Sequence, residues 1–284
     1  MKLLSFVAAG RLSYGLLEQG DRVRDCGAQL GSRAPDLKAV LDRNLLTELR
    51  KVAATAPILT PSDIILLPPI PNPGKIFCIG HNYEEHRQET GRPKTLHPSV
   101  FTRFADSQIA NGAPAWIPAE SAEIDYEGEL AVVMGRGGRR IPAIDAMTYV
   151  AGYSCYNDIS VRDWQRHTTQ FTPGKNFPNT GAFGPWLVTS EEIPHPENLQ
   201  LTTRLNGKIV QQASTAQLIF SIAELIEYCS TFTSLSPGDV IVTGTPGGVG
   251  FKREPQLFMR DGDVVEVEIE KVGLLRNPLE AERR

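Results

Sequence analysis

Glu123-Ile124-Asp125-Tyr126-Glu127-Gly128-Glu129-Leu130-Ala131-Val132-Val133-Met134 is the stretch from which the rest of the chain is best read. Acidic residues alternate with others and then give way to an unbroken apolar run. Successive side chains of a strand point to opposite faces, so Asp125, Glu127, Glu129, Ala131 and Val133 share one face. Tyr126, Gly128, Leu130, Val132 and Met134 take the other. Two readings fit the carboxylates. They form a solvated acidic end where the strand emerges into water. Or they stand beside a buried sheet, where a bound cation relieves both their mutual repulsion and their desolvation. An all-oxygen site of that kind, with few protein ligands and open positions, suits Mg2+ or Mn2+ better than zinc.

Further strands are expected at Lys75–Gly80, Asp239–Thr243 and Val264–Ile269, and the alternating N-terminus reads better as a first strand than as a leader. Leu37, Val40, Leu41, Leu45, Leu46 and Leu49 predict a helix from Pro35 to about Ala54. Ser221 and Glu224 make a capping box ahead of Ile222, Leu225, Ile226 and Cys229. Strands outnumber helices without regular βαβ alternation, which argues against a doubly wound sheet and predicts a β-rich α+β fold. The proline cluster Pro68-Pro69-Ile70-Pro71-Asn72-Pro73-Gly74 marks a boundary. It divides a small N-terminal domain with its linker, residues 1–70, from a main domain, residues 71–284.

A net charge of −4 leaves no electrostatic footprint for nucleic acid or an anionic membrane. No run approaches the roughly 18–20 apolar residues of a membrane span. Cys26, Cys78, Cys155 and Cys229 are scattered, with no C-x-x-C pair, which suits free thiols in a cytoplasmic protein. A small molecule is the expected partner.

Four more segments bear on the chemistry. In Gly80-His81-Asn82-Tyr83-Glu84-Glu85-His86-Arg87-Gln88-Glu89-Thr90-Gly91, Asn82 and Glu85 can cap a short helix that ends at Gly91. His86 and Glu89 then stand at i, i+3, either as a surface ion pair or as a histidine oriented by a carboxylate for general-base work. Asp158, in Tyr156-Asn157-Asp158, is a third carboxylate or a turn residue. Lys175 is a solvated loop residue or a buried cation that holds an oxyanion. The glycines of Thr243-Gly244-Thr245-Pro246-Gly247-Gly248-Val249-Gly250 lack phosphate-loop spacing and allow close approach to a small ligand instead. His81, His97, His167 and His195 show no paired spacing and read as structural or solvent-facing.

Taken in order, these motifs, with Arg162-Asp163-Trp164-Gln165, Gly174-Lys175 and Leu205-Asn206-Gly207, resemble the fumarylacetoacetate hydrolase family over about residues 70–278. More narrowly, they are similar to its acylpyruvase and 2-hydroxyhepta-2,4-diene-1,7-dioate isomerase group. The resemblance implies a mixed β-sandwich roll with a small N-terminal domain, usually paired into a homodimer. It implies that Glu127, Glu129 and Asp158 bind Mg2+ or Mn2+. By the same resemblance His86 and Glu89 sit on a lid with a catalytic role, as does Lys175, and Arg162, Gln165 and Thr245 surround a 2-oxo acid. The run Asn176–Pro185 departs from the family, lacking its Phe-Asp, so this loop is expected to differ in shape. The implied reaction is hydrolysis of a C–C bond in a 2,4-dioxo acid through an enolate held by the metal. Decarboxylation of oxaloacetate or tautomerisation of a 2-hydroxydienoate in aromatic catabolism needs the same site. A non-catalytic metal-binding relative is the third reading.

Overall fold

The computed structural model describes residues 1–283. The run Gly128–Met134 is a fully buried strand near the middle of a 12-stranded mixed sheet. It pairs antiparallel with Val150–Asp158 on one side and with Val240–Val242 on the other. Ile76–Gly80 follows, parallel to Val240–Val242, and Ser99–Arg103 pairs next. On the far side of Val150–Asp158 lies Gly181–Thr189, then Lys2–Ala8 and the remaining N-terminal strands.

Both faces of this sheet are covered, which is why residues 130–134 are apolar without alternation. Leu130, Val132 and Met134 join Leu201, Leu205, Val265, Val267 and Ile269 of a five-stranded second sheet in one core. Ala131 and Val133 face the opposite way, into a core with Leu37, Val40, Leu41 and Leu49 of two short N-terminal helices. Each large aliphatic side chain so buried contributes about 1.5–3 kcal/mol. The architecture is the β-rich α+β sandwich roll expected.

Several local expectations change. The strand period read from Asp125 to Met134 is interrupted: Ile124–Asp125 pairs with Ser160–Val161 as a separate two-stranded ribbon, and the regular ladder begins at Gly128. Asn157 Oδ1 takes the Glu127 backbone N–H at the break. The helix expected over 35–54 is two helices, Leu37–Asp42 and Leu46–Ala53. Asn44 between them is left-handed, at φ 53°, which ends the first helix. Asn82 does not cap the next helix, Glu84–Glu89, whose N-cap is Tyr83. Its buried carboxamide instead accepts from Phe220 N and donates to the carbonyls of Phe220 and Thr243. The helix at Ile222–Phe232 carries its Ser221–Glu224 capping box as expected.

The run 176–185 is only partly a loop, since Gly181–Thr189 is a buried strand of the main sheet. Residues 1–70 extend that same sheet, Lys2 and Leu3 pairing with Val188 and Leu187. The boundary read at residue 70 therefore separates two parts that share a sheet and a core. All four cysteines are buried and free. Among the described residues no helix is long and apolar enough to cross a membrane.

Candidate metal centre and active site

Glu127 sits at the strand break, Glu129 one residue into the ladder, and Asp158 at the end of the neighbouring strand. Antiparallel register brings them together: Gly128 faces Asn157, and the Asp158 N–H donates to the Glu127 carbonyl. One carboxylate oxygen from each of the three lies within 4.8 Å of the others, and all three residues are buried. Of the two readings of this acidic run, the solvated one is excluded.

Buried carboxylates require compensation. Lys175, 1% exposed, donates Nζ to Glu127 Oε2 at 2.7 Å and to Asp158 Oδ2 at 2.6 Å. Arg162 reaches Glu127 Oε1 at 2.6 Å, and Arg103 reaches Asp158 Oδ1 at 2.5 Å. Burial would raise the Glu127 pKa, but Lys175 and Arg162 outweigh it and hold the carboxyl well below its usual range. Glu129 has no cationic partner among the described residues; its carboxylate accepts only the Gly244 N–H, at 2.5 Å. Burial, reinforced by Asp158 and Glu127, pushes its carboxyl well above the ordinary value. Burial would also strip the Lys175 proton, but Asp158 and Glu127 raise its pKa, so the ammonium persists.

Asp125, Glu127 and Asp158 thus face Arg103, Arg162 and Lys175, which leaves Glu129 as the one carboxylate of the four without a cationic partner among the described residues. Three hard oxygen donors around a local deficit of positive charge fit an oxygen-preferring dication. The residues present therefore fit a divalent metal of the Mg2+ or Mn2+ type.

Two of the anchoring residues were not singled out in the sequence. Asp125, fully buried, accepts from Arg162 Nε at 2.8 Å and from the backbone N–H groups of Tyr126, Gly250 and Phe251. It ties the glycine loop to the arginine, and its only signal was its place in the Asp-x-Glu-x-Glu alternation. Arg103 carried no signal at all.

A cavity of about 800 Å³ opens over the cluster. Glu127, Glu129, Lys175, Arg162, Gln165, Thr245 and His86 line it. Asp158, fully buried, lies behind Lys175. Arg162 Nη2 is buried without a partner, and its guanidinium lies 4.4 Å from the Phe251 ring centroid. Gln165 accepts from Arg162 Nη1 at 2.9 Å. Thr245 Oγ1 donates to the Gly128 carbonyl and accepts from Gln211. His86 Nδ1 lies 3.3 Å from Glu89 Oε2, and the Glu89 carboxylate takes the Gly248 N–H. The surface-ion-pair reading does not hold for His86, which is 4% exposed.

His81 is a correction of a different kind. It lines the cavity, left-handed at φ 57°, with its ring nearly parallel to His86 at 5.5 Å. Burial, then the neighbouring His86, lowers its pKa from 6.5 to about 4. The native imidazole therefore refuses a proton that the unfolded chain accepts between about pH 6.5 and 4. Stability must fall as pH drops through that window. NMR titration of the His81 ring should give a midpoint near 4, and His81→Phe should flatten this limb of the stability curve. A midpoint at or above the ordinary 6.5 would show the ring to be solvated.

The fold and site define a class: a β-rich sandwich roll that holds a buried carboxylate cluster suited to a dication at the floor of a cavity. Residues 75–280 match the family model described as Fumarylacetoacetate (FAA) hydrolase C-terminal. The chain belongs to the fumarylacetoacetate hydrolase family. It is 40% identical to "Oxaloacetate tautomerase fahd2, mitochondrial" of Xenopus laevis, covering 98% of this chain and 90% of the relative. Its structure superposes on that of a putative HpcE protein from Mycobacterium smegmatis with a TM-score of 0.87, 37% identity and complete coverage of both chains. Maleylpyruvate hydrolase from Sphingobium sp. SYK-6, solved with manganese (II) ion and pyruvate, matches with a TM-score of 0.83 and 25% identity, again over both whole chains. The family relatives are enzymes that include tautomerases, isomerases and hydrolases.

Proposed function

We propose that this chain catalyses enolisation of a small 2-oxo dicarboxylic acid, with keto–enol tautomerisation of oxaloacetate as the specific reaction. The observation that carries the substrate class is the charge of the cavity. A chain of net charge −4 lines it with Arg87, Arg92, Lys94, Arg166 and Lys252 toward solvent and with Arg162 and Lys175 inside. Glu127 and Glu129 are the only acidic lining residues among those described. Such a field concentrates dianions. Tautomerisation takes precedence over the hydrolysis expected from sequence because the Xenopus relative aligns over nearly the whole chain.

A divalent cation at Glu127, Glu129 and Asp158 would supply Lewis acidity toward the 2-oxo group. The unpartnered Nη2 of Arg162 offers a donor for a substrate carboxylate. Lys175, kept protonated, holds negative charge that develops on oxygen. His86, oriented by Glu89, exchanges the proton at the carbon next to the oxo group. Thr245 and Gln165 fix the walls against which the substrate lies.

A second reading, hydrolysis of an acylpyruvate, is favoured by the same His86–Glu89 pair, which is suited to activate an attacking water. The test follows enol-oxaloacetate absorbance with Mn2+ present, beside acylpyruvates in solvent enriched in heavy oxygen. Catalysed ketonisation without CO2 or pyruvate release is expected. Acylpyruvate cleavage with solvent oxygen in the released acid, and no effect on oxaloacetate, would establish hydrolysis instead.

A further inference from the structure

Arg103 ends the strand Ser99–Arg103, and its side chain is fully buried without lining the cavity. A buried guanidinium is costly unless its donors are satisfied. Here Nη1 donates to Asp158 Oδ1 at 2.5 Å and to the Ile159 carbonyl at 3.1 Å. Nη2 donates to Thr180 Oγ1 at 2.6 Å, and Nε to Ser107 Oγ at 3.3 Å. The planar fork is held at several points, so the one carboxylate oxygen it grips cannot rotate. The other oxygen, Oδ2, faces Lys175 and, across it, Glu127.

We infer that Arg103 is a positioning residue of the metal centre, pinning Oδ1 of Asp158 and so fixing the orientation of a carboxylate that would hold the cation. Charge neutralisation alone does not require an arginine, because a lysine such as Lys175 also opposes Asp158. Geometric restraint does: an unpinned carboxylate swings, and affinity falls as ligand orientation is lost. A lysine at 103 keeps the buried charge and loses the fork. The inference rests on the metal reading of the carboxylate cluster and is independent of which reaction the site performs.

The test titrates the full chain with Mn2+ by calorimetry and records the EPR spectrum of the bound ion, with circular dichroism as the check on folding. Wild type should bind one Mn2+. Arg103→Lys should bind about tenfold more weakly and Arg103→Gln about a hundredfold, the range typical of lost outer-shell partners. The EPR lines of the lysine variant should differ from those of wild type. Thr180→Val, which removes the Nη2 anchor together with the Thr180 hydroxyl bond to the Phe177 carbonyl, should shift affinity in the same direction by less. If Arg103→Gln does not fold, the lysine and valine variants decide. Folded variants with wild-type affinity and spectra would overturn the role of Arg103 alone. A wild-type chain that binds no Mn2+ would overturn the metal centre and this role with it.

Discussion

Glu129→Gln should abolish divalent-cation binding and lower kcat/KM by about a thousandfold, while leaving the metal-free protein as stable as wild type. The first part follows from charge. Glu129 is the one buried carboxylate of the cluster with no cationic partner among the described residues, so the cation is its natural counter-charge. Lewis-acid stabilisation is worth several kcal/mol at the transition state, and each ~1.36 kcal/mol is tenfold in rate, hence about three orders of magnitude. The second part follows from protonation. Burial, Asp158 and Glu127 all favour the protonated form of the metal-free carboxyl, of which glutamine is the isostere. The Gly244 N–H keeps an acceptor in either case. Thermal melts should therefore coincide without metal, and the rise in Tm that Mn2+ brings to wild type should vanish in the variant. A Glu129→Gln variant that still gains Tm on Mn2+ addition would remove Glu129 from the centre.

Lys175→Ala is expected to separate chemistry from metal binding. Its ammonium contacts Glu127 and Asp158 and lines the cavity, so it is placed to hold charge on the substrate. Loss of one such donor costs about 10²–10³ in kcat. For the dication, loss of a neighbouring positive charge and loss of the lysine's grip on Glu127 and Asp158 act in opposite directions, so Mn2+ affinity should change far less than kcat. Two buried carboxylates meanwhile lose their lysine. Breaking a buried pair from one side costs about 3–5 kcal/mol, and the metal-free variant should melt earlier and recover when Mn2+ is added. Wild-type kcat in this variant would exclude Lys175 from the reaction under either functional reading.

Much of the site was legible because its chemistry is written locally. The Glu-x-Glu pair lies two residues apart where the chain enters a strand, and His86–Glu89 lies one helical turn apart, so local spacing brings each pair together. The capping box at Ser221 was legible for the same reason. Arg103 and Asp158 are 55 residues apart on separate, non-adjacent strands of one sheet and meet only in the folded chain. His81 read as an ordinary histidine because its exposure depends on the left-handed turn that swings it into the cavity. Asn82 was read as a cap because its residue type permits one; burial against Phe220 and Thr243 gave its amide better partners.

The acidic alternation of residues 123–129 and the apolar run behind it determined, without coordinates, that carboxylates stand at the edge of a buried strand. They also marked the chain as β-rich, since period two and two-sided hydrophobicity are local properties. Whether those carboxylates face water or a cation was not a local property. It depended on which strands pair and on where Lys175, Arg162 and Arg103 come to rest. Tertiary packing removed the solvent, supplied three cations for four carboxylates, and left Glu129 without a cationic partner among the described residues. In a low-dielectric interior that single imbalance is what turns an acidic stripe into a metal site.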